Sequence, residues 1–183
     1  HNNGAAGIYL ENQVEEIPLV RNNTIYDNGT YGIEVSQTGA DPDPNIMNCI
    51  IYGNDSNDLY KDGDSFNNVK YCCLQRTYSG IGNIVADPCF MNPSDPNDLH
   101  INEDSQCKNA GDPNGNYVGE TDIDGEARVY YGRVDIGADE YYWSPADYDE
   151  DGRVNFVDFV LFANSWQITD VNISLDDDND VDF

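Results

Sequence analysis

A short motif returns along the first seventy residues at a nearly fixed interval. Asn22-Asn23-Thr24-Ile25-Tyr26-Asp27-Asn28 lines up with Asn48-Cys49-Ile50-Ile51-Tyr52-Gly53-Asn54, 26 residues later. Gly7-Ile8-Tyr9-Leu10 lines up with Gly32-Ile33-Glu34-Val35 at 25, and Pro18-Leu19-Val20 is matched by Pro44-Asn45-Ile46-Met47. Tyr71-Cys72-Cys73-Leu74 continues the series after a shorter step. Each unit holds short β-rich runs parted by Gly, Asn and Asp, and none is long enough for a helix. A period in the mid-twenties with several strands per unit means a solenoid. The Leu pattern of leucine-rich repeats is missing, so the expected fold is a right-handed parallel β-helix whose coils stack about 4.8 Å apart.

Stacking fixes which side chains face inward. With a side-chain period of two, Ile25, Ile51 and Leu74 form one inward ladder and Asn23, Cys49 and Cys72 the next. Thr24, Ile50 and Cys73 should face outward. Buried Asn ladders satisfy one another by amide-to-amide hydrogen bonds between coils, a structural role that needs no ligand. Tyr9, Tyr26, Tyr31, Tyr52, Tyr60 and Tyr71 recur along the coils, and aromatics repeated at one place could stack on sugar rings. Asn22, Asn28, Asn54 and Asn172 begin Asn-x-Ser/Thr sequons, although an Asn-rich chain produces such matches by chance.

Charge narrows the partners. Lys and Arg number 8 against 35 Asp and Glu, a net charge of −27. Such a surface repels phosphate backbones and anionic membranes, which excludes nucleic-acid binding. No run of about twenty apolar residues is present, so no membrane span is expected. Five cysteines cannot all pair within one chain, and no Cys-x-x-Cys spacing occurs. Cys72 and Cys73 should point to opposite faces, and Cys89 with Cys107 is the candidate disulfide.

From about Val69 to Trp143 the repeat decays into a turn-rich stretch with several ordered motifs. Gly82-Asn83-Ile84-Val85-Ala86-Asp87-Pro88-Cys89-Phe90 and Asp98-Leu99-His100-Ile101 come first. Ser105-Gln106-Cys107-Lys108-Asn109-Ala110-Gly111-Asp112-Pro113, Thr121-Asp122-Ile123-Asp124-Gly125 and Gly132-Arg133-Val134-Asp135-Ile136-Gly137-Ala138-Asp139-Glu140 follow. Over about residues 45–143 the chain resembles the C-terminal end of bacterial right-handed β-helix surface proteins that carry a Q-type choice-of-anchor domain. It departs from that pattern at Cys89 and at Gln106-Cys107-Lys108. The resemblance implies an exported, extracellular or cell-surface protein of which this is the terminal part, closed by loops that cover the last coil. Its ends at His1 and Phe183 read as cuts through repeating units.

The sharpest chemistry follows Trp143. Asp147-Tyr148-Asp149-Glu150-Asp151-Gly152-Arg153-Val154-Asn155-Phe156-Val157-Asp158 is a twelve-residue loop with oxygen donors at positions 1, 3 and 5. Gly152 stands at the sharp turn of position 6, Arg153 offers its carbonyl at 7, Asn155 sits at 9 and Asp158 at 12. Those are the EF-hand positions for Ca²⁺. Phe156, Phe159, Val160, Phe162 and Ala163 then form an apolar stripe that predicts a helix before Trp166. Asp at position 12 and the following helix are similar to type I dockerin modules, which carry two such loops. The second would take Ser174, Asp176, Asp178, the Asp180 carbonyl and Asp182, with Asn179 in place of Gly, and it stops short of a twelfth ligand. Dockerins bind cohesins, so the resemblance implies a cohesin-like or cell-surface partner.

The expected organisation is therefore terminal coils and cap of a β-helix over 1–143 and an incomplete calcium module over 144–183. The expected function is a non-catalytic, exported structural or adhesive protein with a calcium-ordered docking tail. Another copy could complete both cut ends, giving a calcium-dependent fibre or surface layer. The rival reading is the terminal fragment of a polysaccharide lyase or glycoside hydrolase. A lyase needs a base, and the coils offer Arg21, Lys61, Lys70 and Arg76. A hydrolase needs two carboxylates at a fixed separation, and Glu11, Glu15, Glu16, Glu34, Asp55 and Asp58 show no pattern. His1 and His100 form no triad or metal cluster in the sequence.

Overall fold

The computed structural model describes residues 3–12, 17–37, 43–62, 66–92, 94–95, 98–130, 132–142, 144–149 and 154–168. They form two compact units, His1–Tyr141 and a second that begins at Tyr142.

The first unit is built from ten short strands that pair only in parallel. β1 (Ile8–Asn12), β4 (Tyr31–Gln37) and β7 (Asn57–Lys61) make one sheet. β2 (Leu19–Arg21), β5 (Asn45–Met47) and β8 (Val69–Lys70) make a second. β3 (Thr24–Tyr26), β6 (Ile50–Tyr52), β9 (Cys73–Leu74) and β10 (Ile84–Val85) make the third. Through β9 the chain visits the three sheets in turn and returns one strand further along each, which is a parallel β-helix, and β10 then pairs with β9 in the third sheet directly. Register follows the repeat: Ile8 pairs with Ile33, Thr24 with Ile50, and Ile50 with Cys73. The shorter third step is accommodated without slippage because a one-residue slip would turn every inward side chain outward.

The core is the set of ladders. Ile25, Ile51 and Leu74 stack in register and are buried, as are Val20, Ile46 and Val69 on the second sheet and Ile33 and Leu59 on the first. Amide ladders run beside them. Asn28 Nδ2 donates to Asn54 Oδ1 at 2.8 Å, and Asn48 Nδ2 to Asn22 Oδ1 at 3.1 Å. The sequons at Asn28 and Asn54 thus lie on buried amides committed to neighbouring coils, with no room for a glycan. One turn position repeats in the left-handed region: Asn22 (φ 56°), Asn48 (φ 49°), Tyr71 (φ 51°) and Gly82 (φ 72°). Asn and Gly tolerate this conformation. At Gly82 the glycine is also steric, since a Cβ would meet the Tyr71 ring at 2.1 Å.

Residues 86–141 carry two isolated antiparallel bridges, Phe90–Ile101 and Thr121–Ala127. This segment lies along the flank of the β3–β6–β9 sheet and contacts three successive coils. Thr24, Ile50 and Cys73 do point out of the coil, but the cap covers them. Ile50 and Cys73 form a second buried cluster with Phe90, Ile101, Cys107 and Ile136. Ala138 N donates to Thr24 Oγ1 at 3.0 Å and Gly137 N to the Asn48 carbonyl at 3.0 Å. Gly137 has φ 119°, and a Cβ there would strike Ile50 Cδ1 at 2.7 Å.

Buried Arg128 ties the cap to itself. Its guanidinium donates to the Ala138 carbonyl at 2.9 Å and the Gly137 carbonyl at 3.0 Å, and lies 3.4 Å from Glu140 Oε1.

All five cysteines are free. Cys72 joins the inner core and Cys73 the outer cluster, on opposite faces. The Cys89–Cys107 disulfide is not formed. Cys107 is drawn into the cluster beside Cys73, whose thiol it meets. Cys89 sits in a left-handed turn (φ 54°) with its sulfur 3.6 Å from the Asp87 carbonyl.

Truncating the central rung, Ile51→Ala, is expected to lower unfolding free energy by about 2–5 kcal/mol. Asn54→Ala should cost about 1–3 kcal/mol by stranding the Asn28 amide. Chemical denaturation with a far-UV signal checks both. Values near zero would mean that the ladders do not carry the core.

Candidate metal centre

The second unit contains α1 (Phe156–Ile168) and the loop before it. Asn155 starts the helix: its Oδ1 accepts from Val157 N at 2.8 Å, the N-cap arrangement that satisfies a first-turn amide. Its carbonyl also accepts from Phe159 N at 3.4 Å.

This cap places Asp158 on the first turn, facing back into the loop. Asp158 is 2 % exposed. Its Oδ1 accepts from Tyr148 N at 2.8 Å and Asp149 N at 3.3 Å, and its Oδ2 from Asn155 N at 2.6 Å. The Asn155 N–H, then those of Tyr148 and Asp149, hold its carboxyl below the usual range. Asp147, Asp149 and Asp158 bring carboxylate oxygens within 4.8 Å of one another. Two oxygens bound to one Ca²⁺ at 2.3–2.6 Å can lie at most about 5 Å apart, so the three fit a single ion of that size. Positions 1, 3 and 12 of the loop therefore converge, and position 9 caps the helix beside them.

Asp151, Gly152 and Arg153 lie outside the described residues. So do Ser174, Asp176, Asp178, Asp180 and Asp182 of the second loop. The apolar stripe on α1 is only partly used: Phe162 meets the Tyr148 ring edge-on at 5.5 Å, while Phe156 and Phe159 are exposed.

Of the residues the enzyme reading names, Arg21, Lys61 and Asp58 have structural partners, while Lys70 and Arg76 are exposed. Arg21 pairs with Glu120 at 2.7 Å, and Lys61 with buried Asp43. Asp58 is fully buried, and its Oδ2 accepts from Gln75 N at 3.0 Å and Arg76 N at 3.2 Å. Glu15 and Glu16 lie outside the described residues. The tyrosines do not form one row. Tyr26 and Tyr52 pack beneath the cap, Tyr71 is buried, and Tyr31 stacks on Tyr60 at 4.3 Å. Glu34 separates Tyr9 from Tyr60 in their register column.

One expectation is overturned. His100 belongs to a constellation after all, with Asp124 and Asp139 of the cap. Separations of 24 and 39 residues hide it from any local motif. Its one trace in the sequence is the alternation in Asp98-Leu99-His100 and Asp122-Ile123-Asp124.

Residues 1–92 match the family model described as "Right handed beta helix region". No match was found among curated proteins or among solved structures. No helix among the described residues is long and apolar enough to cross a membrane.

Burial pushes the Asp58 carboxyl up to about 6, against the pull of the Gln75 and Arg76 N–H groups. A folded-state pKa above the unfolded value near 3.9 contributes stability that is complete below pH 4 and lost as pH rises through 6. At ~1.4 kcal/mol per pH unit the loss reaches about 3 kcal/mol. Asp58→Asn mimics the neutral form and should abolish this slope. The difference in denaturation free energy between wild type and variant, followed from pH 4 to 7, checks the sign.

Proposed function

The chain belongs to the right-handed β-helix family, and from that premise we propose that it is a non-catalytic structural or adhesive protein of the cell exterior whose second unit is ordered by Ca²⁺. The observation that carries the reading is the convergence of Asp147, Asp149 and Asp158. Three carboxylates this close repel one another, and the backbone donors around Asp158 offset only part of that repulsion. A hard divalent cation removes the rest. Calcium accepts six to eight oxygens in flexible geometry, whereas Mg²⁺ gives up its waters reluctantly, so this donor set favours calcium.

In this reading the stacked coils are a rigid rod and the cap stiffens its flank. The second unit is a dockerin-like module, and residues 45–143 correspond to the C-terminal end of β-helix surface proteins that carry a Q-type choice-of-anchor domain. The exposed Phe156 and Phe159 give α1 an apolar face of the kind that meets a cohesin-like or surface partner.

Calorimetric titration of chelator-stripped protein should show Ca²⁺ binding, with a weaker response to Mg²⁺. Calcium at 100 times its dissociation constant should stabilise the second unit by about 2.7 kcal/mol, and Asp158→Ala should abolish the effect. No heat and no shift in melting would overturn the proposal. A chain of net charge −27 meets its copies only when cations neutralise it. Assembly is therefore expected to need Ca²⁺ and to dissolve in chelator. Light scattering that remains monomeric across millimolar calcium would exclude a fibre.

A further inference from the structure

We infer that the cap holds a second metal site, distinct from the calcium loop, in which His100, Asp124 and Asp139 bind a borderline divalent transition metal of the Zn²⁺ class.

Three segments of the cap are stitched together around this point. Ile101 N donates to Asp139 Oδ2 at 2.9 Å, Ile123 N to the Ala138 carbonyl at 3.1 Å, and Glu140 N to Asp122 Oδ2 at 3.2 Å. Met91 N donates to the His100 carbonyl at 2.8 Å and fixes the backbone that carries the imidazole. These bonds hold one imidazole nitrogen and an oxygen from each of two carboxylates within 4.8 Å of one another.

The ring is oriented as a metal-ligating histidine is. Nδ1 lies 2.6 Å from Asp98 Oδ1, and Nε2 faces Asp124 Oδ2 at 2.6 Å. A carboxylate on the far ring nitrogen fixes the tautomer and raises the basicity of the other nitrogen. Asp98 is thus the positioning residue, and Nε2 the donor.

Asp139 separates this arrangement from a plain imidazolium held between two aspartates. Its side chain is buried, the residue being 5 % exposed. Among the described residues it accepts one hydrogen bond, from Ile101 N on Oδ2. Its carboxylate lies within 4.8 Å of the His100–Asp124 pair. A protonated His100 supplies one positive charge to three carboxylates, those of Asp98, Asp124 and Asp139. A divalent ion in place of that proton supplies two.

The donor set selects the ion. Calcium takes oxygen ligands, and an imidazole nitrogen suits Zn²⁺, Co²⁺ and Ni²⁺. Ligands at about 2.0–2.1 Å in tetrahedral geometry stand about 3.3 Å apart, so the Nε2–Oδ2 contact must widen from 2.6 Å. Asp124 sits in the exposed turn 122–125 and can give that distance by side-chain rotation. One imidazole and two carboxylates leave a fourth position for water.

The test uses the full chain in excess Ca²⁺, so that the first loop does not compete. Zn²⁺ titrated calorimetrically should bind once per chain at this site and raise the melting temperature of the first unit. His100→Gln should abolish that step, and Asp98→Asn should weaken it 10–100-fold. If His100→Gln disturbs folding, zinc-edge X-ray absorption on His1→Ala protein decides, because His100 is then the one histidine left in the sequence. An imidazole scatterer at about 2.0 Å is expected. Zinc bound by oxygen alone, binding unchanged in His100→Gln, or no binding would overturn the site and leave His100 as a structural imidazolium.

Discussion

Everything in the first unit depends on parallel, in-register stacking of one coil on the next. A strand of two or three residues makes too few hydrogen bonds to persist alone, and it is stable only when paired above and below and sealed by its inward side chain. The stack therefore requires equivalent side chains at equivalent positions, because a buried Ile in one coil has nothing to rest on if its successor is polar. Ile25, Ile51 and Leu74 meet that demand. So do Asn28 and Asn54, where a polar group is admitted to the interior because its neighbour supplies the missing hydrogen bond. The left-handed turn at Asn22, Asn48, Tyr71 and Gly82 obeys the same constraint in the backbone. It turns the chain by the same angle in each coil, and only then can the next strand land in register.

A stack of coils still has an outer surface, and here the two faces of one sheet are both apolar at Ile50–Ile51 and Cys73–Leu74. That is unusual for a strand with one side toward water. The cap resolves it by lying along the flank and burying Ile50 and Cys73 with Phe90, Ile101 and Ile136. Since the cap has almost no regular strands, its backbone groups are satisfied piecemeal, by aspartate side chains and by Arg128 bonded to the carbonyls of Gly137 and Ala138. Its aspartates are thus structural acceptors for loop N–H groups. Both carboxylate constellations grow out of this habit. Where aspartates supply the acceptors in irregular loops, several of them come to face one point, and a cation becomes the natural complement. The calcium reading and the Zn²⁺ site share this origin in different units of the chain.

The sequence by itself determined the repeat, its period, the inward ladders and the twelve-residue loop with carboxylates at positions 1, 3 and 12. All are local or strictly periodic signals: a side-chain alternation of two, a coil of about 26 residues, and ligands spaced within one turn of chain. Tertiary structure decided the rest. The outward direction of Ile50 and Cys73 follows from alternation, but their burial required the later cap segment, from Phe90 to Ile136, to fold back on them. Cys107 reads in the sequence as a disulfide partner for Cys89, yet its neighbour is Cys73, because packing against a sheet outweighs proximity along the chain. His100 looked solitary, and it is joined by Asp124 and Asp139 only because backbone hydrogen bonds between irregular loops draw three distant segments together. Periodic order can be read from a line of letters since each unit repeats its own instructions. Contacts between aperiodic loops are selected by shape and hydrogen bonding in three dimensions, and no spacing along the chain encodes them.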